Sequence, residues 1–219
     1  GGTAAYGQAV TITATVTGVS GAPGGTVTFH DGSTTLGTAA LDASGHATLT
    51  TTALAVGAHS ITVSYSGAPG LVAVTSAPAG ESVSRAAAQV VLAPQPVFKK
   101  KKVIALGLTA EVRSTAAAGA AAPAGTVTFD ETFKKGKGKK ARTTVKVLGT
   151  AALSGGSATL TVKPNSVFKR PIAIVYGGDA DFQPGTSASL TLTPSSLKSL
   201  ARPMLGLQGR GAARLAQPR

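Results

Sequence analysis

Three runs of basic residues hold the concentrated chemistry of this 219-residue chain. They are Lys99-Lys100-Lys101-Lys102, then Lys134, Lys135, Lys137, Lys139, Lys140 and Arg142, then Lys169-Arg170. Clustered ammonium and guanidinium groups hold anions and displace their counterions. The charge is unevenly spread. Residues 1–86 carry one base, Arg85, against Asp31, Asp42 and Glu81, a net of −2. Residues 87–194 carry fifteen bases and five acids, a net of +10, and residues 195–219 add five bases and no acid. Anion binding therefore belongs to the second half and the tail. The blander reading is that lysine runs blunt strand edges and keep a surface solvated.

Other chemistry is thinner. His30, His46 and His59 all flank strands of the first half, without the spacing that brings two imidazoles onto one ion, and read as surface histidines. Asp179 and Asp181 alternate as carboxylates do at the start of a calcium loop, which makes them the weak metal candidate. A calcium ion takes about six or more oxygens, and Phe182-Gln183-Pro184 supplies few, so these acids are expected to shape a turn. No Gly-x-Ser-x-Gly elbow is present, and Gly155-Gly156 and Gly177-Gly178 are turn glycines with no helix after them. Neither catalysis nor a cofactor is expected. With no Cys, a disulfide framework is excluded and each core must hold by burial.

The elements that position these residues come in two copies. Gly25-Thr26-Val27-Thr28-Phe29 recurs as Gly125-Thr126-Val127-Thr128-Phe129. Leu36-Gly37-Thr38-Ala39-Ala40-Leu41 recurs as Leu148 to Leu153, and Ala47-Thr48-Leu49-Thr50 as Ala158 to Thr161. A repeat of about a hundred residues means tandem domains, each long enough to bury its own core. Val10, Ile12, Ala14 and Val16 alternate along one strand face, and Leu106, Leu108, Ala110 and Val112 match them. Ile61, Val63 and Tyr65 are matched by Ile172, Ile174 and Tyr176, and Asp31-Gly32 signals a hairpin. About seven short strands per copy, with turn residues between them, predict Greek-key sandwiches of two antiparallel sheets.

In this order, GQAVTITATV, GTVTF, LGTAAL, GHATLT and IAIVYGGDADFQPGTS resemble the bacterial Ig-like repeat family (type 3) over nearly all of residues 1–194. The second copy keeps a Tyr-Gly-Gly-Asp-x-x-Phe signature at Tyr176 to Phe182; the first departs from it after Tyr65 and lacks an evident first strand. The resemblance implies an all-β chain of two tandem immunoglobulin-like sandwiches in a secreted or cell-surface protein, where such repeats act as stalks, spacers, adhesive modules or accessory domains. It brings no common active site.

The expected organisation is residues 1–86, a domain whose first strand is missing or atypical, joined near Ala86-Ala87 to residues 87–194, a domain with a Lys-rich insertion between its C and C′ strands. Residues 195–219 are expected to be a disordered basic tail, although Ser196 to Leu200 has the pattern of a short helix. Loops of a sandwich alternate between its ends, so the A–B, C–C′ and E–F loops, which hold the three basic runs, should share one pole. Phe98, Phe133 and Phe168, each preceding a run, should anchor the loop bases.

The partner expected is an anionic surface polymer or polysaccharide, with no specific nucleic acid because no groove-reading element is present. No segment reaches the roughly 18 apolar residues of a spanning helix. The chain reads as part of a longer extracellular protein, with neighbouring domains in its parent. The function expected is structural and adhesive; the alternative is a C-terminal docking region of a larger secreted enzyme.

Overall fold

The computed structural model describes residues 1–17, 24–99, 102–115, 120–136 and 142–200. The chain forms two compact units. Unit 1 comprises Gly1–Ala88, Ser114–Pro123 and Gly178–Gln183; unit 2 comprises Gln89–Arg113, Ala124–Gly177 and the chain from Pro184 onward. The division is thus more interleaved than one cut near Ala86.

In unit 1 the strands are β1 (Gly2–Ala5), β2 (Val10–Thr15), β3 (Thr26–Asp31), β4 (Thr34–Ala40), β5 (His46–Thr51), β6 (Gly57–Tyr65), β7 (Val74–Thr75) and β8 (Ala79–Ser84). One sheet runs β1-β8-β6-β3-β4 with β7 also on β6; the other is β2-β5. Alternation fixes which side chains face the gap. Val27 and Phe29 are fully buried, and Ala47 and Tyr65 close over them. A short strand of unusual pairing precedes β2. β1 pairs in parallel with β8, Gly2 opposite Glu81 through Ala5 opposite Ser84. Its sequence, Gly-Thr-Ala-Ala, has little strand propensity, so backbone pairing rather than pattern creates it. Gly178–Gln183 belongs to this unit through the Ala86 N–H, which donates to Asp181 O (2.9 Å), and the Gln183 N–H, which donates to Ala86 O (2.8 Å). Phe182 is buried there, with Tyr6 edge-on at 5.7 Å.

In unit 2 the strands are β9 (Ala88–Lys99), β10 (Lys102–Ser114), β11 (Thr126–Lys135), β12 (Arg142–Ala152), β13 (Ser157–Val162), β14 (Pro171–Tyr176), β15 (Gly185–Thr186) and β16 (Leu190–Thr191), followed by helix α1 (Pro194–Leu200). The sheets run β12-β11-β14-β15, with β16 also on β14, and β13-β10-β9. Leu106, Leu108, Val127, Phe129, Ile172, Ile174 and Tyr176 are all fully buried. This core is more complete than that of unit 1.

Both copies carry the same irregularity. The β3–β4 register shifts after Phe29, opposite Gly37, and the β11–β12 register shifts after Phe129, opposite Gly149. A Cβ on Gly37 would stand 3.0 Å from Leu49 Cδ1, and one on Gly149 2.9 Å from Leu160 Cδ1. Close sheet-to-sheet approach explains why Leu-Gly-Thr-Ala-Ala-Leu repeats. At Gly25, φ is +99°, and a Cβ would meet Gly67 O at 2.7 Å and Tyr65 Cε2 at 2.9 Å. Gly25→Ala is therefore expected to destabilise unit 1 by about 1–3 kcal/mol, read from urea unfolding.

Two lengths differ from expectation. The Lys-rich insertion is not all loop, because it extends the β11–β12 hairpin until Lys135 pairs with Arg142. The tail does not begin at 195. Thr193 Oγ1 accepts from the Ser196 N–H (3.1 Å) while Ser196 Oγ accepts from the Thr193 N–H (2.9 Å). That reciprocal cap, with Pro194 leading the first turn, starts α1, and fully buried Leu197 holds it down. Residues 201–219 of the expected tail lie outside the described residues.

Candidate polyanion-binding site

The site is built on the hairpin extension. β11 pairs with β14 only from Val127 to Glu131, so Thr132 to Lys135 continue beyond that pairing. Similarly, β10 pairs with β13 from Leu106 to Glu111, and Lys102 to Ala105 continue beyond it. Val162 lies opposite Leu106, the chain then turns through Lys163 and a 3-10 turn at Pro164–Ser166, and β14 starts at Pro171. The last residue of β9, Lys99, the first of β10, Lys102, the paired Lys135 and Arg142, and Lys169-Arg170 accordingly lie at the same end of unit 2. Lys99, Lys102, Lys134, Lys135, Arg142, Lys169 and Arg170 are exposed there. Lys100, Lys101, Lys137, Lys139 and Lys140 lie outside the described residues.

Three segments enclose one shallow basin of about 310 Å3, lined by Thr132, Phe133, Lys134, Thr143, Lys169 and Arg170, with Pro171 at its side. Lys169 is the one non-glycine residue with positive φ (64°) among those described, and its N–H donates to Leu192 O at 2.9 Å. Phe133, Phe98 and Phe168 are each half-buried. Of the three, Phe133 has a defined role, because the Arg170 guanidinium carbon sits 5.1 Å from its ring centroid.

Arg170 differs from the other bases. Its Nη1 donates to Glu131 Oε1 at 2.5 Å, and Glu131 is completely buried. Glu131 Oε2 has no hydrogen-bond partner among the described residues. Arg170 is thus largely committed to neutralising an internal carboxylate, and the lysines carry the outward charge. Neither Glu131 nor the hydroxyls of Thr132 and Thr143 stand out in the sequence alone. The signal for Glu131 lay in the repeat. Asp31 lies opposite Ile61 as Glu131 lies opposite Ile172, so His59 and Arg170 occupy corresponding places.

His59 completes that correspondence. Its Nδ1 lies 2.7 Å from Asp31 Oδ2 and its Nε2 2.8 Å from Ala55 O. It is a largely enclosed, paired group and not the surface histidine expected, since its side chain is only 10% exposed. The Ala55 carbonyl, then the Asp31 carboxylate, hold its pKa above the ordinary 6.5 against the opposing effect of burial. A base whose folded pKa is raised adds stability that is complete below about 6.5 and is lost as pH rises through the folded value. Unit 1 should melt progressively lower as pH rises from about 6 to about 9, and His59→Gln should flatten the profile. His30 and His46 bond instead to Thr35 and Thr15.

Asp179 closes its turn directly. Its Oδ1 accepts from the N–H groups of Asp181 (2.9 Å) and Phe182 (2.7 Å). Among the described residues, no group of three His, Cys, Asp or Glu side chains is placed to hold a metal ion. No described helix is long and apolar enough to cross a membrane.

Two sheets face to face, with the closing strands returning beside the first sheet, define the chain as a pair of immunoglobulin-like sandwich modules. The chain belongs to the bacterial Ig-like domain (group 3) family, whose pattern matches residues 1–84 and 99–194. No curated protein is similar in sequence. Among solved structures, fibronectin(III)-like modules of Clostridium thermocellum CbhA are similar at 20% identity and a TM-score of 0.31, over 86% of this chain and 85% of that one. A DUF3823-family protein from Bacteroides ovatus is similar at 13% identity and 0.26, over 84% and 96%. Bacteroides uniformis beta-glucuronidase 3 is similar at 11% identity and 0.26, over 78% of this chain and 21% of the enzyme.

Proposed function

We propose that the chain is a non-catalytic structural and adhesive segment of an extracellular bacterial protein, and that the basic end of unit 2 binds anionic surface polymers. The observation that carries this reading is the convergence of Lys134, Lys169 and the stacked Arg170 around one basin, from segments far apart in sequence. The two extended hairpins support it, because each presents lysine beyond the last inter-hairpin pairing, where a long polymer can reach it. A row of such contacts suits repeating phosphate, sulfate or carboxylate groups better than a single small anion.

The test replaces Lys134, Lys135, Lys137, Lys139 and Lys140 with Ser in the full chain and measures retention on immobilised teichoic acid and on heparin. Loss of retention with a melting temperature changed by less than about 3 °C is expected, since exposed charges contribute little to stability. Unchanged retention overturns the reading and leaves the lysines as solvated surface.

A further inference from the structure

Four apolar side chains of unit 2 stand at least half exposed among the described residues: Val97 (50%), Ile104 (51%), Val145 (58%) and Val147 (56%). All four belong to the extended hairpins, beside the bases. Val97 precedes Lys99 by two positions, and Ile104 follows Lys102 by two. Val145 lies opposite Thr132, beyond the last pairing of β11 with β14, and Val147 lies opposite Asp130, just inside it. Exposed Lys146 separates the two valines.

The first copy is a control. With Val10 aligned to Leu106, Gln8 takes the place of Ile104, and with Leu36 aligned to Leu148, Thr35 takes the place of Val147. Gln8 and Thr35 are exposed and polar, as the surface of a sandwich ordinarily is. Residues 1–86 also hold a single base, Arg85. Apolar exposure at these positions and basic charge therefore arise together, in the same copy and at the same end. Branched aliphatic side chains left in water are unfavourable unless something covers them.

We infer that this end of unit 2 seats on an anionic lipid bilayer, with lysines among the headgroup phosphates and Val97, Ile104, Val145 and Val147 at the boundary with the acyl chains. Anion binding at this end, proposed above, is the premise; the exposed apolar residues are what a charged polymer leaves unexplained. A hydrated chain of phosphates or sulfates neutralises lysine but gives a valine nothing apolar to enter. The headgroup boundary does both. Each lysine near an anionic surface adds about fivefold in affinity, and apolar side chains add their burial. A protein partner fits less well. Cores of protein interfaces exclude charge, whereas Lys146 stands between two valines, and Lys99 and Lys102 stand two residues from Val97 and Ile104. Lysine stems lie along apolar surface while the ammonium reaches phosphate or water, so the mixture suits lipid. Of the nearby acids, Glu131 is enclosed against Arg170 and Asp130 is half-buried, which leaves the outward charge to the bases.

The test mixes the full chain with vesicles of phosphatidylcholine and phosphatidylglycerol in equal parts and measures co-sedimentation. Binding is expected there and not to phosphatidylcholine alone. The triple variant Ile104→Thr, Val145→Thr and Val147→Thr keeps branched side chains suited to strands. It should bind the mixed vesicles about tenfold more weakly or worse, with heparin retention unchanged. Val145→Trp places one indole in a chain that has none, and its emission should shift to shorter wavelength on the vesicles but not on heparin. The proposal is overturned if the triple variant binds vesicles as the parent does, or if the indole stays in water on bound vesicles. It is overturned too if the parent binds heparin but no vesicle, which leaves a soluble polymer as the partner. Failure on both removes the anion-binding reading as well. Self-association of the parent that the same three substitutions abolish would instead assign the valines to a second copy of the chain.

Discussion

Arg170→Met is expected to destabilise unit 2 by about 3 kcal/mol, the largest loss for any single basic residue at this end. The reason is Glu131. Its carboxylate is wholly enclosed, one oxygen bonds Arg170, and the other has no partner among the described residues. Removing the guanidinium leaves the carboxylate without its partner where water does not reach. Arg170 itself is 46% exposed on its side chain, which places the effect at the lower end of the range for buried pairs. A further outcome follows from the cause. Adding Glu131→Gln to the variant should recover more than half of the loss, because the double replacement leaves no charge behind. Urea unfolding, with exchange over β11 and β14 to identify the unit, measures both. A loss under about 1 kcal/mol would show that the pair contributes no more than a surface bridge.

The contrast with Asp31 and His59 explains how much the sequence could reveal. The alternation at Val27-Thr28-Phe29 and Val127-Thr128-Phe129 was legible because a period of two survives without knowledge of the partner strand. What the pattern hid depends on distant partners. β1 is a strand only because β8 offers it a backbone ladder, and Gly-Thr-Ala-Ala gives no side-chain signal. The burial of Glu131 depends on Arg170, thirty-nine residues away, and on Phe133 beneath it. Extension of the β11–β12 hairpin into the Lys-rich insertion depends on pairing of Thr143 with Lys134 and Arg142 with Lys135, which composition reads as loop. Helix α1 was the near miss. Thr193-Pro194-Ser195-Ser196 carries a cap, but its short length and the composition after it pointed to disorder.

The same separation of roles governs binding, and here the expected effect is larger. If the full chain engages about six anionic groups, its affinity for heparin should fall roughly a thousandfold between about 50 and 200 mM salt. The slope of affinity against salt counts the bases that displace counterions, so it distinguishes outward charge from charge already neutralised inside the fold. Lys134 and Lys169 are exposed on the basin, and among the described residues no carboxylate pairs with either as Glu131 pairs with Arg170. Lys134→Ser and Lys169→Ser should each reduce the slope by about one unit. Arg170→Met, measured below its melting transition, should reduce it by clearly less, because the charge it removes is already engaged by Glu131. Isothermal titration at four salt concentrations gives the slopes. Equal reductions for all three variants would mean that Arg170 faces the polymer as fully as the lysines do, and that its bond to Glu131 yields when an anion arrives. A flat salt response in the parent chain would remove the lysines from recognition altogether and leave the end of unit 2 a solvated surface.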